Sequence, residues 1–226
     1  MDTTVRIALW IHILAGTVAL LVAPGALLTA KGGRAHRRWG KIYFWAMAVV
    51  AATALGVGYW RSRYFLMLVA VFSFYAALSG YRALFHKRPE TGQRADALDW
   101  TAAALAAGAG GTLVALGILK PTPGWREIGT VSVVFGTFSI VLALRDAWGF
   151  VRPPADRNAW WYRHMSNMMG SYLAALTAFS VVNFSFLPIN VKWLWPTVLG
   201  TPAIIAWVTY YKLRFSRARP APQAAT

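Results

Sequence analysis

Residues 164–183, HMSNMMGSYLAALTAFSVVN, decide the fold class of this chain. The stretch has the length of a membrane-spanning helix, yet a histidine, two asparagines, a threonine and several serines stand among its apolar residues. Polar groups are costly in hydrocarbon unless protein or water satisfies them. The stretch therefore predicts a spanning helix whose polar side chains face the interior of a helix bundle.

The rest of the chain has the composition of a polytopic membrane protein. Of its 226 residues, 58% are hydrophobic and 13% are charged, whereas a soluble domain carries about a quarter charged residues. Seven apolar segments of about 20 residues each are separated by short charged clusters. The segments cover 5–29, 39–59, 63–85, 97–119, 126–145, 164–186 and 193–213. We predict an all-α, seven-helix transmembrane bundle as a single domain over 1–213, followed by a basic, disordered tail over 214–226.

The distribution of Lys and Arg predicts the orientation of these helices. Of the 23 basic residues, 17 fall in or beside the first, third and fifth connections and the C-terminal tail. The positive-inside rule then places the N-terminus outside and the C-terminus in the cytoplasm. The net charge of +16 predicts contact with anionic lipid headgroups and needs no nucleic acid to explain it. The chain has no cysteine, so thiolate chemistry is excluded.

Several predicted helices carry a polar stripe on one face. At 100° per residue, His164, Asn167 and Ser171 share a face of the sixth helix, while Met165 and Leu173 lie on the opposite face and are predicted to contact lipid. The same periodicity groups other polar residues with small ones. They are His12 in the first helix, Ser79 and Arg82 in the third, Asp99 in the fourth, Asp146 in the fifth and Asn183 at the end of the sixth.

Histidines and carboxylates are predicted to converge at the cytoplasmic side. The group consists of His36, His86, His164, Asp96, Asp99 and Asp146. Imidazole and carboxylate together suit zinc or iron, although no HxxH or HExxH pair occurs and the ligands would have to meet through tertiary packing. Structural alternatives stay open. Asp96 and Asp99 can cap the fourth helix, and Asp146 can pair with a neighbouring arginine.

His12 stands apart from this group. It is predicted to lie about 10 Å below the outer surface, and no other histidine falls in that half of the bundle. We expect His12 to carry a hydrogen bond or a proton, or to pack between helices on a backbone carbonyl.

Two stretches resemble a family of bacterial polytopic membrane proteins known only as a domain of unknown function. The stretches are HILAGTVALLVAPGALLTAKGGRAHRRWGKIYF, from residue 12, and HMSNMMGSYLAALTAFSVVN. The matching residues are His12, Gly16, Pro24, Lys31, Gly32, His36, Arg37, Gly40, His164, Gly170, Tyr172, Thr177, Phe179 and Asn183. The resemblance implies a multi-pass protein of a bacterial inner membrane and brings no activity with it.

A looser resemblance of architecture is to the seven-helix transmembrane zinc hydrolases of the ceramidase and adiponectin-receptor type. This chain lacks their paired histidines on the last helix, which contains none. Likeness of architecture alone does not establish function.

Three functions follow as hypotheses. The first is a metal-dependent membrane enzyme acting on a lipid or another membrane-soluble substrate, with His36, His86, His164 and Asp99 as ligands of zinc or iron. Asp99 would alternatively activate water, and Arg82 would hold an anionic group. The second is an electron-carrying protein with haem b bound by two cytoplasmic-side histidines such as His86 and His164. The third is a small-molecule or proton-coupled transporter or receptor. A homo-oligomer or a place in a larger membrane complex is compatible with each.

Overall fold

Seven α-helices make up nearly all of the described chain, because an apolar segment in a membrane must satisfy its backbone polar groups within itself. The computed structural model describes residues 3–88 and 93–217, and over these ranges it contains helices and turns but no strand. The helices are α1 (Thr3–Leu28), α2 (Arg34–Trp60), α3 (Tyr64–Arg82), α4 (Ala97–Leu119), α5 (Pro123–Val151), α6 (Ala159–Asn183) and α7 (Ile189–Arg217). A 3-10 turn, Ala83–Phe85, extends α3.

Six of the helices in the described ranges, α1 to α6, are long and apolar enough to cross a membrane, which supports a multi-pass membrane protein. The predicted seventh span is a helix of 29 residues that contains Pro196 and Pro202 and is not apolar enough to be counted with the other six. The tail predicted to be disordered is helical as far as Arg217. The rest of that tail lies outside the described residues.

The helices form two groups that share α3 and α6. These two helices pack against each other, and α1 and α2 close a four-helix bundle with them, since α2 contacts α3 and α1 contacts α6. On the other side, α4 packs on α3, α5 packs on α4, and α7 contacts α6 and α5. In the four-helix bundle α2 and α6 are diagonal to each other. They are bridged by side chains, such as Tyr43 and Ser171, rather than by close backbone contact.

Small residues let the α4 and α5 backbones touch, as the polar and small faces of these helices predicted. A Cβ added to Gly136 would lie 2.5 Å from the Gly110 carbonyl oxygen. The Ser139 hydroxyl donates to the Ala106 carbonyl across the interface at 2.7 Å. The face of α5 that carries Asp146 is buried along its length, with Ser132, Gly136, Ser139 and Ala143 on it.

The three connections that are rich in Lys and Arg, which follow α1, α3 and α5, lie at one end of the molecule. The C-terminal end of α7 lies at the same end. Lys87, after α3, lies 4.7 Å above the Trp160 ring at the start of α6. Trp161 in turn packs against Phe215 of α7, with ring centres 5.3 Å apart. We call this end the basic end.

The predicted faces of α6 are correct for its polar residues and wrong for its large ones. Asn167 and Ser171 are buried as expected. Met165 is buried as well, and Leu173 packs against Gly200 of α7 rather than facing outward. Helical periodicity separates two faces, but it cannot predict that α7 packs along the second one.

Candidate functional site

Two histidines from the diagonal helices lie beside each other at the basic end. His36 is in the first turn of α2, and His164 is in the second turn of α6. Their ring centres are 6.2 Å apart, and the ring planes stand at 78° to each other. Both residues are only partly exposed. The sequence predicted that both would reach this end; the structure brings His164 against His36 rather than against His86.

Backbone carbonyls at helix ends hold both rings through Nδ1. His36 Nδ1 is 2.9 Å from the Ala26 carbonyl oxygen in the last turn of α1, and His164 Nδ1 is 2.8 Å from the Gly80 carbonyl oxygen in the last turn of α3. Carbonyls in a last turn are available to side chains because the helix ends there. Lys31 also reaches the Ala26 carbonyl, and burial in this turn lowers the pKa of its ammonium group.

These contacts determine which ring nitrogens carry protons. A carbonyl oxygen only accepts, so Nδ1 of each ring must be the donor, and Nε2 of the neutral ring keeps its lone pair. Over residues 3–88 and 93–217, Nε2 of His36 and Nε2 of His164 have no hydrogen-bond partner. Metal-bound histidines are held in the same way, with one nitrogen donating to a carbonyl and the other facing the metal.

Gly80 lets α6 approach α3 closely enough for the contact with His164. A Cβ at this position would lie 3.0 Å from the Met168 backbone nitrogen. Any larger residue at position 80 would therefore push the two helices apart near His164.

Asp99 forms a second cluster, between α3 and α4. Arg82 donates two hydrogen bonds to its carboxylate, from Nε at 2.9 Å and from Nη2 at 2.7 Å. His86 Nε2 lies 3.3 Å from Oδ2 of the same carboxylate. Asp96 and Asp99 also form the capping box of α4, as the sequence suggested. A carboxylate offers about four lone-pair positions, so the contacts with Arg82, His86 and the helix cap use the hydrogen-bonding capacity of the Asp99 carboxylate.

Asp146 forms a third cluster, on α5. It accepts hydrogen bonds from the Tyr75 hydroxyl at 3.0 Å and from the Ser79 hydroxyl. Arg145 donates to its Oδ1 at 3.2 Å, as expected for a neighbour in sequence. Arg163 Nε lies 3.1 Å from the same oxygen, as an ion pair without the alignment of a hydrogen bond. The ion pair of Arg163 with Asp146 was not predicted from the sequence, because it depends on the tertiary arrangement that lets a long α6 side chain reach α5.

The polar stripe of α6 contacts three other helices. His164 binds α3, and the Asn167 amide donates to Ser79 of α3 at 2.8 Å while its oxygen accepts from Arg145 of α5 at 2.6 Å. Ser171 shares a 2.9 Å hydrogen bond with Tyr43 of α2. These partners explain how so polar a stretch can form a helix inside an apolar bundle.

Three residues that were predicted to be interior polar groups lie instead at a helix end or against a backbone carbonyl. Asn183 is exposed and donates to the Phe179 carbonyl of its own helix, because it lies at the very end of α6. Asp96 is exposed because a capping residue stands outside its helix. His12 is half-buried against α2, where its Nδ1 lies 3.1 Å from the Val50 carbonyl.

The described part of the chain contains no group of three histidine or acidic side chains placed to hold a metal ion. His86, one of the predicted ligands, has a buried Nδ1 without a partner, while its Nε2 faces Asp99. The four predicted ligands are thus divided into two pairs, His36 with His164 and His86 with Asp99.

No protein-family model, curated protein or solved structure matches this chain. The resemblances described above therefore stay predictions.

Proposed function

We propose that this protein is a membrane cytochrome that binds one haem b between His36 and His164 and carries electrons. The observation that carries the proposal is the geometry of the pair. Two imidazoles on opposite sides of one iron, each bonded to it at about 2 Å, have ring centres roughly 6 Å apart. The centres of the His36 and His164 rings are separated by 6.2 Å.

The protonation of the two rings supports the same proposal. Each Nδ1–H is used by a backbone carbonyl, and each Nε2 has a lone pair for iron. Such outer hydrogen bonds fix the orientation of a ligand ring and raise its basicity.

The small number of protein ligands favours haem over a bare ion. Zinc in a protein takes four ligands, or three and a water, and two histidines alone fall short of that number. Haem supplies four nitrogens itself and needs only two axial ligands from the chain.

The position of the pair in the fold also suits haem. Cofactor sites of four-helix bundles are built in the bundle core from side chains on facing helices. His36 and His164 come from α2 and α6, which stand diagonally while α1 and α3 lie between them. The exposed Arg37 and Arg38 follow His36 directly and would be available to the propionates.

Two axial histidines leave iron no open position for oxygen, so electron transfer is the chemistry that such a haem supplies. The metal-dependent enzyme remains an untested prediction. The geometry gives it less support, because Asp99 already has its oxygens bound to Arg82, His86 and its own helix.

Optical spectra of the protein purified from haem-supplemented cells test the proposal. We expect about one haem per chain, with a Soret band that shifts on reduction with dithionite. His36→Ala and His164→Ala should each remove most of the bound haem. His86→Ala and His12→Ala are the matched controls and should keep it. A colourless protein, or equal haem content in all four variants, would overturn the proposal.

A further inference from the structure

A cavity at the basic end has no part in the proposed haem site. Its volume is about 1040 Å³, and it lies where α5, α6 and α7 meet the connections that follow α3 and α5. Neither His36 nor His164 lines it.

The charge of the cavity wall is strongly positive. Among the residues that the structure describes, six basic side chains line it, against two acidic ones, Asp146 and Asp156. The six are Lys87, Arg94, Arg145, Arg157, Arg163 and Lys212. Arg145 and Arg163 are paired with Asp146. Over residues 3–88 and 93–217, the other four have no carboxylate partner.

Aromatic rings support two of these four unpaired cations. Lys87 Nζ lies 4.7 Å above the Trp160 ring, and Lys212 Nζ lies 5.4 Å above the Tyr162 ring. Trp160 and Tyr162 line the cavity as well. Packing of this kind holds the aliphatic stem against an apolar surface and leaves the ammonium group available for an anion.

Part of the remaining wall is apolar, and α7 contributes to it. Ile204, Ile205 and Val208 line it along one side, and Ile205 is 60% exposed. A free inorganic anion would make no use of this surface. A ligand with both an anionic head and an acyl chain would use both parts of the cavity.

We propose that this cavity binds a phospholipid with an anionic, phosphate-bearing headgroup. The phosphate would lie among Lys87, Arg157 and Lys212, and an acyl chain would lie along Ile204 and Ile205 of α7. Basic pockets between membrane helices recognise anionic lipid heads by the same charge complementarity. The inference does not depend on the haem proposal, since the two sites share no residue.

Lipid titration of the full-length protein in neutral detergent tests this inference. Binding is followed by native mass spectrometry with phosphatidylglycerol, phosphatidylcholine of the same chains, and glycerol phosphate as separate probes. We expect phosphatidylglycerol to bind most tightly. The double variant Lys87→Ala/Arg157→Ala should weaken its binding roughly tenfold, because each basic residue contributes to the attraction. Arg34→Ala/Lys41→Ala removes the same charge at the same end, outside the cavity, and should leave binding unchanged.

The other outcomes would overturn the inference. Equal binding of phosphatidylcholine would show that charge does not select the ligand, and equal binding of glycerol phosphate would mean a site for a free anion. A loss of binding in both double variants would indicate general surface attraction. Helical circular dichroism and size-exclusion elution, recorded on the same samples, confirm that each variant is folded.

Discussion

His86 and His164 lie at the same end of the molecule, yet their surroundings differ in kind. His86 Nε2 faces a buried carboxylate that Arg82 already neutralises, so this nitrogen belongs to an ionic cluster, while the buried Nδ1 has no partner among the described residues. His164 is held by a carbonyl next to a second histidine held in the same way, and its Nε2 has no hydrogen-bond partner within residues 3–88 and 93–217. The two histidines thus differ in what holds them: an ionic cluster holds His86, and a backbone carbonyl holds His164 beside a second histidine.

The largest effect expected from this difference is the cost of removing Asp99. Asp99→Ala leaves Arg82 without its buried partner and removes one half of the α4 capping box. Breaking a buried ion pair costs about 3–5 kcal/mol. Because Asp96 still reaches Arg82, we expect the free energy of unfolding to fall by about 3 kcal/mol. Unfolding by dodecyl sulfate in mixed micelles measures it.

Haem content per folded molecule should stay unchanged in Asp99→Ala. Glu127→Ala is the control, since Glu127 is an exposed acid on α5, and it should be nearly silent. If Asp99→Ala instead removed haem without loss of stability, the two histidine environments would have been assigned the wrong way round.

The next largest effect is expected at the α4–α5 interface. This interface includes the helix that carries Asp99, but neither α2 nor α6, which carry His36 and His164. Gly136→Ala would place a methyl group 2.5 Å from the Gly110 carbonyl oxygen. Overpacking of this kind costs roughly 1–3 kcal/mol. The same unfolding titration should show this loss, and the haem spectrum should not change.

Gly149→Ala, on the same helix, is the matched control for Gly136→Ala. A Cβ there meets no atom within 4 Å. Similar losses of stability in the two variants would argue against close contact of α4 with α5.

Much of the framework was predictable from sequence, because it depends on local rules. Hydrophobic length predicted the helices, and the spacing of small residues predicted the buried faces of α4 and α5. The capping role of Asp96 and Asp99 was predictable because it depends only on two acidic residues three positions apart at the start of a helix. The pairing of His36 with His164 was not predictable, since it depends on which helices stand diagonally. The apolar face of α6 was predicted wrongly because α7 covers Leu173.

A smaller effect is expected from a substitution at Gly80, whose carbonyl oxygen accepts the hydrogen bond of His164. Gly80→Ala places a methyl group 3.0 Å from the Met168 backbone nitrogen and should move α6 away from the Gly80 carbonyl. Loss of an outer hydrogen bond to a ligand histidine lowers metal affinity roughly tenfold or more. Haem transfer to apomyoglobin measures the affinity.

Gly170→Ala changes the same helix where a Cβ meets nothing within 4 Å and is the control for Gly80→Ala. Equal haem release from wild type, Gly80→Ala and Gly170→Ala would mean that the Gly80 carbonyl does not orient His164.

Electron paramagnetic resonance of the oxidised, haem-loaded protein tests the central claim most directly. Two axial imidazoles make ferric haem low-spin, and ring planes at 78° predict a strongly anisotropic signal with one large g value. In His36→Ala or His164→Ala, any haem that remains should become high-spin because one axial ligand is lost. A high-spin signal in the wild type, or an unchanged low-spin signal in both variants, would contradict the account.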